Sequence, residues 1–197
     1  MKNYIKNFEI LKKNYVYSEE MEHDACGVGL IASTEGKKTR KVVEYGIEAL
    51  KAVWHRGAVD ADGKTGDGAG IHVEIPKDFF IEKVEVTGHT YDNSEICVGM
   101  IFLPRNDYAA QESCKTIVES ELTKNDFSIY GWRQVPVNPK VLGEKAFQTM
   151  PEIIQVLFKS NNPELLNKDL ERKIYETRRI IENKAFQISL NNFYICS

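Results

Sequence analysis

A chain of 197 residues with 42% hydrophobic and 28% charged residues has the composition of an ordinary globular protein, and at roughly 150 residues per domain its length favours one domain over two. Lys and Arg (26) nearly balance Asp and Glu (29) for a net charge of −3, which excludes the clustered basic excess of a nucleic-acid binder. No apolar run approaches the roughly 18 residues of a membrane span, and the mixed-charge N-terminus carries no signal-peptide core. The four cysteines, Cys26, Cys97, Cys114 and Cys196, show neither CxxC pairs nor Cys/His metal spacing. The expectation is a cytoplasmic protein with reduced thiols and no zinc, nucleic-acid or membrane partner.

Residues 1–25 mix Lys-rich and Glu-rich patches with aromatics and show no clean period, as an arm or leader does. At Cys26 the texture changes. CGVGLIAST is a short run of small and β-branched residues and predicts a buried strand. Thr39 opens a helical pattern in which Val42, Val43, Ile47, Leu50 and Val53 share a face. His55–Gly70 holds five glycines in sixteen residues, too dense for a regular element, and predicts a loop. Ile71–Ile75 alternates as a half-buried strand does, and Pro76 is placed as the first residue of a short helix carrying Phe79 and Phe80.

Glu95–Leu103 predicts a strand covered on both faces. Asp107 is placed to cap a helix through about Lys124, with Ala110, Cys114, Ile117, Val118 and Leu122 inward. Phe127–Val137 alternates as a strand, with Pro136 demoting its end to an edge or exit. Ile153–Phe158 is another strand. Asn162 before Pro163 predicts the start of a long helix to about Phe186 that buries Leu166, Leu170, Ile174 and Ile181. Phe193–Cys196 begins a further strand with no turn, cap or polar tail after it, so the chain is expected to be the front part of a longer protein.

Three segments hold candidate chemistry, each beside an ordinary explanation. GKT at Gly63–Thr65 invites a phosphate-loop reading, but position 58, where that motif needs glycine, is Ala, and a strand follows where a helix should. Gly66–Gly70 matches a dinucleotide fingerprint only loosely and again leads into a strand. Asp60, Asp62 and Asp67 lack calcium-loop spacing, with Ile71 where a bidentate Glu would sit. The ordinary explanation for this loop is a multi-turn connection. Cys26, heading an apolar strand, is by default a small buried residue. Gly27 and Gly29 nevertheless leave room for a ligand or another backbone, and the polar or small Glu22–Ala25 leaves the bond before Cys26 open to cleavage. His55–Arg56 at a helix end complements the helix dipole in the ordinary explanation. With Gly57 directly after it, the pair can instead aim a guanidinium into a pocket.

Cys26-Gly27-Val28-Gly29 heading a strand, with HRGA (His55–Ala58) about thirty residues on, resembles the class II glutamine amidotransferases. HRGAVDADGKTGDGAG followed by IPKDFF is more specific. It resembles the amino-terminal glutaminase domains of glutamate synthase large subunits, and the likeness runs from about Asp24 to the final FYICS. The glycine-rich loop separates that group from the purine-pathway and glucosamine-pathway amidotransferases. Asp60 stands where the family commonly has glycine, a departure that bears on the local turn.

The resemblance implies an α+β fold, the four-layer αββα sandwich of the N-terminal-nucleophile hydrolases, incomplete at the C-terminus of this chain. It implies that residues 1–25 are a propeptide and residues 26–197 the front part of a glutaminase domain. Cys26 matches the nucleophile, freed by cleavage after Ala25. Its new α-amino group, with a pKa of about 8, then serves as general base for the thiol. Arg56 and Gly57 match the pocket motif that helps to position the cysteine. The implied substrate is L-glutamine, and the ammonia passes to 2-oxoglutarate in synthase domains of the same protein or of a split partner chain. Those domains use FMN and an iron–sulfur cluster; this chain itself is expected to hold no cofactor and no metal.

The family's carboxylate-gripping Arg motif and Asn-Gly oxyanion hole fall beyond the last residue. Losing even one oxyanion donor costs about 10²–10³ in rate, so the isolated chain is expected to be weak or inactive. Two further readings stand beside this one. They are an amidotransferase of another pathway, and a catalytically silent fragment or binding module of the same fold that keeps its leader.

Overall fold

Asp107 does what its position predicts. Its carboxylate accepts from the Ala110 N–H at 2.9 Å and starts helix α3 (Tyr108–Lys124). In the computed structural model, which describes Lys6, Glu9, Ile10 and residues 27–54, 57–190 and 192–196, this helix belongs to the larger of two units. One unit gathers the described residues up to Ala58 together with Asp67–Ile71, and the other Val59–Gly66 and the described residues from His72 onward.

The larger unit is built on a four-stranded antiparallel sheet of β1 (Cys97–Leu103), β2 (Phe127–Gln134), β3 (Glu152–Ser160) and β4 (Tyr194–Cys196), in the order β2-β3-β1-β4. Alternation along β1 buries Cys97, Gly99, Ile101 and Leu103. Cys97, Ile101 and Leu103 enter a core with Cys114, Val118 and Leu122 of α3 and Leu170, Ile174 and Ile181 of α5 (Asn167–Gln187). A second cluster joins Leu157 of β3 and Tyr130 of β2 to Ile96 and to Phe80 and Val84 of α2 (Lys77–Val86). Because neighbouring side chains on a strand point to opposite faces, Val156 and Leu157 divide between these two cores. β3 is therefore buried on both sides through its middle.

Three sequence expectations change here. Pro76 is the N-cap of α2 and not its first residue. The long helix starts at Asn167, not beside Pro163, and Leu166, expected inside, is 51% exposed as its N-cap residue. Asn162 closes a turn instead, accepting from the Glu164 N–H at 3.0 Å. Two short elements escaped the sequence reading, a 3₁₀ turn at Pro139–Val141 and helix α4 (Glu144–Thr149).

In the other unit, helix α1 (Arg40–Ala52) begins after Thr39 as predicted, with Val42, Val43, Ile47 and Leu50 half-buried along one side. The expected strand over CGVGLIAST is not formed: residues 27–33 carry no ladder, and Val28 and Leu30 are 93% and 88% exposed. Ile71–Ile75 likewise takes no strand pairing. Apolar, β-branched composition supplies the tendency to be covered. A strand also needs a neighbour to take its N–H and C=O groups, and no described residue pairs with either segment. Among the described residues the architecture is thus mixed α and β with one antiparallel sheet.

Candidate active site

Of the three residues singled out as site residues, Gly57 is described, whereas Cys26 and Arg56 lie outside the described residues. Gly57 turns the chain directly after α1. Its N–H donates to the Trp54 carbonyl at 3.0 Å, and a Cβ there would stand 3.3 Å from that same oxygen, so glycine suits the close approach. Gly27, the residue after Cys26, packs beside Val53, with 3.7 Å between its Cβ position and Val53 Cγ2. The chain leaving Cys26 therefore passes the C-terminal end of α1, two residues short of His55 in sequence.

The glycine-rich segment after Gly57 is a hairpin-like loop. Ala58 donates its N–H to Asp67 Oδ2 at 2.9 Å. Val59 bridges to Gly66, and the Asp60 N–H reaches the Thr65 carbonyl at 2.8 Å. Asp62 accepts from the N–H groups of Lys64 at 2.9 Å and Thr65 at 2.7 Å and from the Thr65 hydroxyl at 2.5 Å. That hydroxyl first, then the two N–H groups, holds the Asp62 carboxyl well below the usual carboxylate range. Each acidic side chain considered as a calcium ligand is thus engaged by the protein itself. Asp60 pairs with Lys145 Nζ at 2.7 Å. Asp60 also needs no glycine-like backbone, since the left-handed non-glycine residues described are Asn93, Asp126, Asn167 and Ser189.

The sequence reading missed the residues that receive this loop, Gly143 and Lys145 at the start of α4. They lie some eighty residues downstream, and a glycine before a short helix carries no local sign of its partner.

Burial sets the chemistry of the three described cysteines. Burial, with Glu95 and Glu171 adding to it, pushes the Cys97 thiol up to about 12. Burial, with Asp107 adding to it, pushes Cys114 up to about 11. Cys196 is half-buried and also raised by burial, against an opposing effect of Arg178. A thiol held protonated is a poor nucleophile. Among the described residues, no group of three or more His, Cys, Asp or Glu side chains is placed to hold a metal ion. Nor is any helix among them long and apolar enough to cross a membrane.

Comparison with known proteins adds the following. Residues 26–197 match the family model for class II glutamine amidotransferases. The chain is 55% identical over 181 residues to the glutamate synthase [NADPH] large chain of Azospirillum brasilense, covering 92% of this chain and 12% of that one. It is 38% identical over 179 residues to the chloroplastic ferredoxin-dependent glutamate synthase 2 of Arabidopsis thaliana, covering 89% and 11%. With the ferredoxin-dependent glutamate synthase of Pyropia yezoensis the identity is 40% over 188 residues, covering 91% and 12%. The chain therefore spans about an eighth of the length of these relatives.

Proposed function

The chain belongs to the class II glutamine amidotransferases, and on that premise we propose that it forms part of a glutaminase domain of the glutamate synthase kind, with Cys26 as the nucleophile. What supports this most is that the family match opens at Cys26 itself, while the three described cysteines have thiols that burial holds protonated. Residues 1–25 are read as a leader, removed by cleavage after Ala25. The compartment is read as the cytoplasm, and the domain as the four-layer sandwich of the N-terminal-nucleophile hydrolases.

On this reading the freed α-amino group of Cys26, with a pKa of about 8, takes the thiol proton. The thiolate adds to the side-chain amide carbon of L-glutamine, and the C–N bond breaks as the leaving nitrogen takes a proton and departs as ammonia. Water then cleaves the thioester, so that one glutamine and one water give glutamate and ammonia. Arg56 and Gly57 hold the pocket beside the cysteine. In the whole protein the ammonia goes on to 2-oxoglutarate, in domains supplied by the same polypeptide or a partner chain. FMN and an iron–sulfur cluster belong to those domains: the described residues of this chain do not fit a metal cluster, and no step above runs through one.

A second reading has its own support. Val28 and Leu30, at 93% and 88% exposure, stand uncovered just after Cys26, as in a catalytically silent fragment or binding module. Intact mass before and after incubation with a diazo-ketone glutamine analogue separates the two. Loss of residues 1–25 with one adduct on Cys26 is the expected result. An unprocessed and unlabelled chain establishes the silent form, and equal labelling of all four cysteines overturns the assignment of Cys26.

A further inference from the structure

We propose that Asp67–Gly68 is a modification site, where the chain converts spontaneously to isoaspartate and so becomes a substrate for an S-adenosylmethionine-dependent isoaspartyl methyltransferase, while the fold holds Asp62–Gly63 unconverted. These are the two Asp-Gly pairs of the sequence. Glycine has no Cβ to hinder its own nitrogen, so both pairs are open to the reaction by sequence alone. In that reaction the glycine nitrogen adds to the aspartate Cγ. The N–Cγ bond forms, the Cγ–O bond breaks, and water leaves with the amide proton and the carboxyl proton. The resulting succinimide takes up water at either carbonyl. Opening at Cγ restores aspartate. Opening at the main-chain carbonyl leaves the chain running through Cβ and Cγ, with a free carboxylate on Cα that a methyltransferase can esterify. Water is lost and regained, and no oxidant or reductant is needed.

At Asp67–Gly68 the reacting groups are available. Residues 66–70 are exposed. Gly68 has φ +90°, and the place a Cβ on it would take is empty to 4 Å. Among the described residues no acceptor takes the Gly68 N–H. The Asp67 carboxylate holds a hydrogen bond from the Ala58 N–H through Oδ2, at 2.9 Å, which leaves its other oxygen open to water.

At Asp62–Gly63 the same groups are engaged. The Gly63 N–H donates to the Asp60 carbonyl at 2.9 Å, which fixes the peptide plane that would have to turn. Asp62 accepts from the N–H groups of Lys64 and Thr65, from the Thr65 hydroxyl, and from the Lys145 N–H at 3.4 Å. Those bonds favour the ionised carboxyl, from which oxygen departs far less readily than hydroxyl does from the neutral acid. The seat of the tip against α4 is close as well. A Cβ on Gly143 would come within 2.6 Å of Thr65 N, and closer still to Asp62 Oδ2. The Asp62 carboxyl therefore has little room to swing toward the Gly63 nitrogen.

The test ages the full chain at 37 °C and neutral pH, in native buffer and in urea. Cleavage by trypsin after Arg56, Lys64 and Lys77 puts the two pairs on separate peptides, residues 57–64 and 65–77, and Asp67 is the one Asp or Asn of the second. Methyl transfer from S-adenosylmethionine by an isoaspartyl methyltransferase reads the conversion of each. In native buffer peptide 65–77 is expected to convert at least about tenfold faster than 57–64, the effect of a few lost hydrogen bonds and a displaced ionisation. In urea the two rates are expected to come together. Equal native rates overturn the proposal. A difference that persists in urea also overturns it, because flanking sequence and not the fold would then set the rates. A native 65–77 peptide that stays unmethylated while its counterpart in urea converts removes Asp67 as a site.

Discussion

Glu121 Oε1 lies 2.7 Å from Lys184 Nζ, joining α3 to α5 through a carboxylate that is 5% exposed and a lysine that is 43% exposed. Lys124 adds a second contact at 3.0 Å. Lys184 chiefly, with Lys124 behind it, holds the Glu121 carboxyl below its ordinary value of 4.5. A carboxyl whose pKa is lower in the folded than in the unfolded chain stabilises the fold above the unfolded value. That contribution is lost as the pH falls through the folded value. Glu121→Gln is therefore expected to cost about 1 kcal/mol at neutral pH, less than a fully buried pair because both lysines reach water. In urea unfolding the difference from the parent should shrink as the pH drops below 4.5. A gap of constant size down to acid pH would show that the charge is not what matters.

Thiol accessibility should follow burial. Cys97 and Cys114, pushed up to about 12 and about 11 and both buried, are expected to resist iodoacetamide at pH 8 in the native chain and to react in urea. Peptide mapping by mass reads each site separately. Rapid native labelling of Cys114 would contradict its place on the buried face of α3.

Gly99 faces Val156 across the β1–β3 pair, and a Cβ on it would stand 2.8 Å from Val156 Cγ1. Gly99→Ala is expected to destabilise by about 1–3 kcal/mol through overpacking. Combining it with Val156→Ala should cost less than the sum of the two single changes, because each relieves the other. Additive costs in urea titrations would place the strain elsewhere.

The corrected start of α5 makes its own contrast. Leu157 is fully buried between β3 and α2, whereas Leu166 is 51% exposed. Leu157→Ala should cost about 2–5 kcal/mol and Leu166→Ala within about 0.5 kcal/mol. Comparable losses at both sites would restore the earlier helix start.

Local signals read well where one residue decides the outcome. Asp107 starts α3 because its carboxylate meets the Ala110 N–H three residues on, and Thr39 marks the start of α1. Asn162–Pro163 misleads because the side chain closes a turn, and Asn167, with φ +52°, breaks any helix continuing from Pro163. Gln111 was not read as inward, yet it is buried with its amide donating to the Pro104 carbonyl at 2.8 Å. Such a partner is settled by packing and not by periodicity. Gly57 was legible as a turn after a helix. The Asp62–Gly143 seat was not, since it joins segments some eighty residues apart through backbone geometry.

The strand order carries a consequence for synthesis. β3 lies between β1 and β2, pairing Ile101 with Ile154 on one side and Phe127 with Ser160 on the other. Both neighbours precede it in the chain, and they do not pair with each other. A ribosome that has released β1, α3 and β2 has delivered two strands with a gap between them, each with open hydrogen-bonding groups on the side β3 will occupy. The sheet closes only once residues 152–160 leave the exit tunnel. Translation thus hands over last, of the three, the strand that both others require, and the nascent chain must carry its open ladders until then.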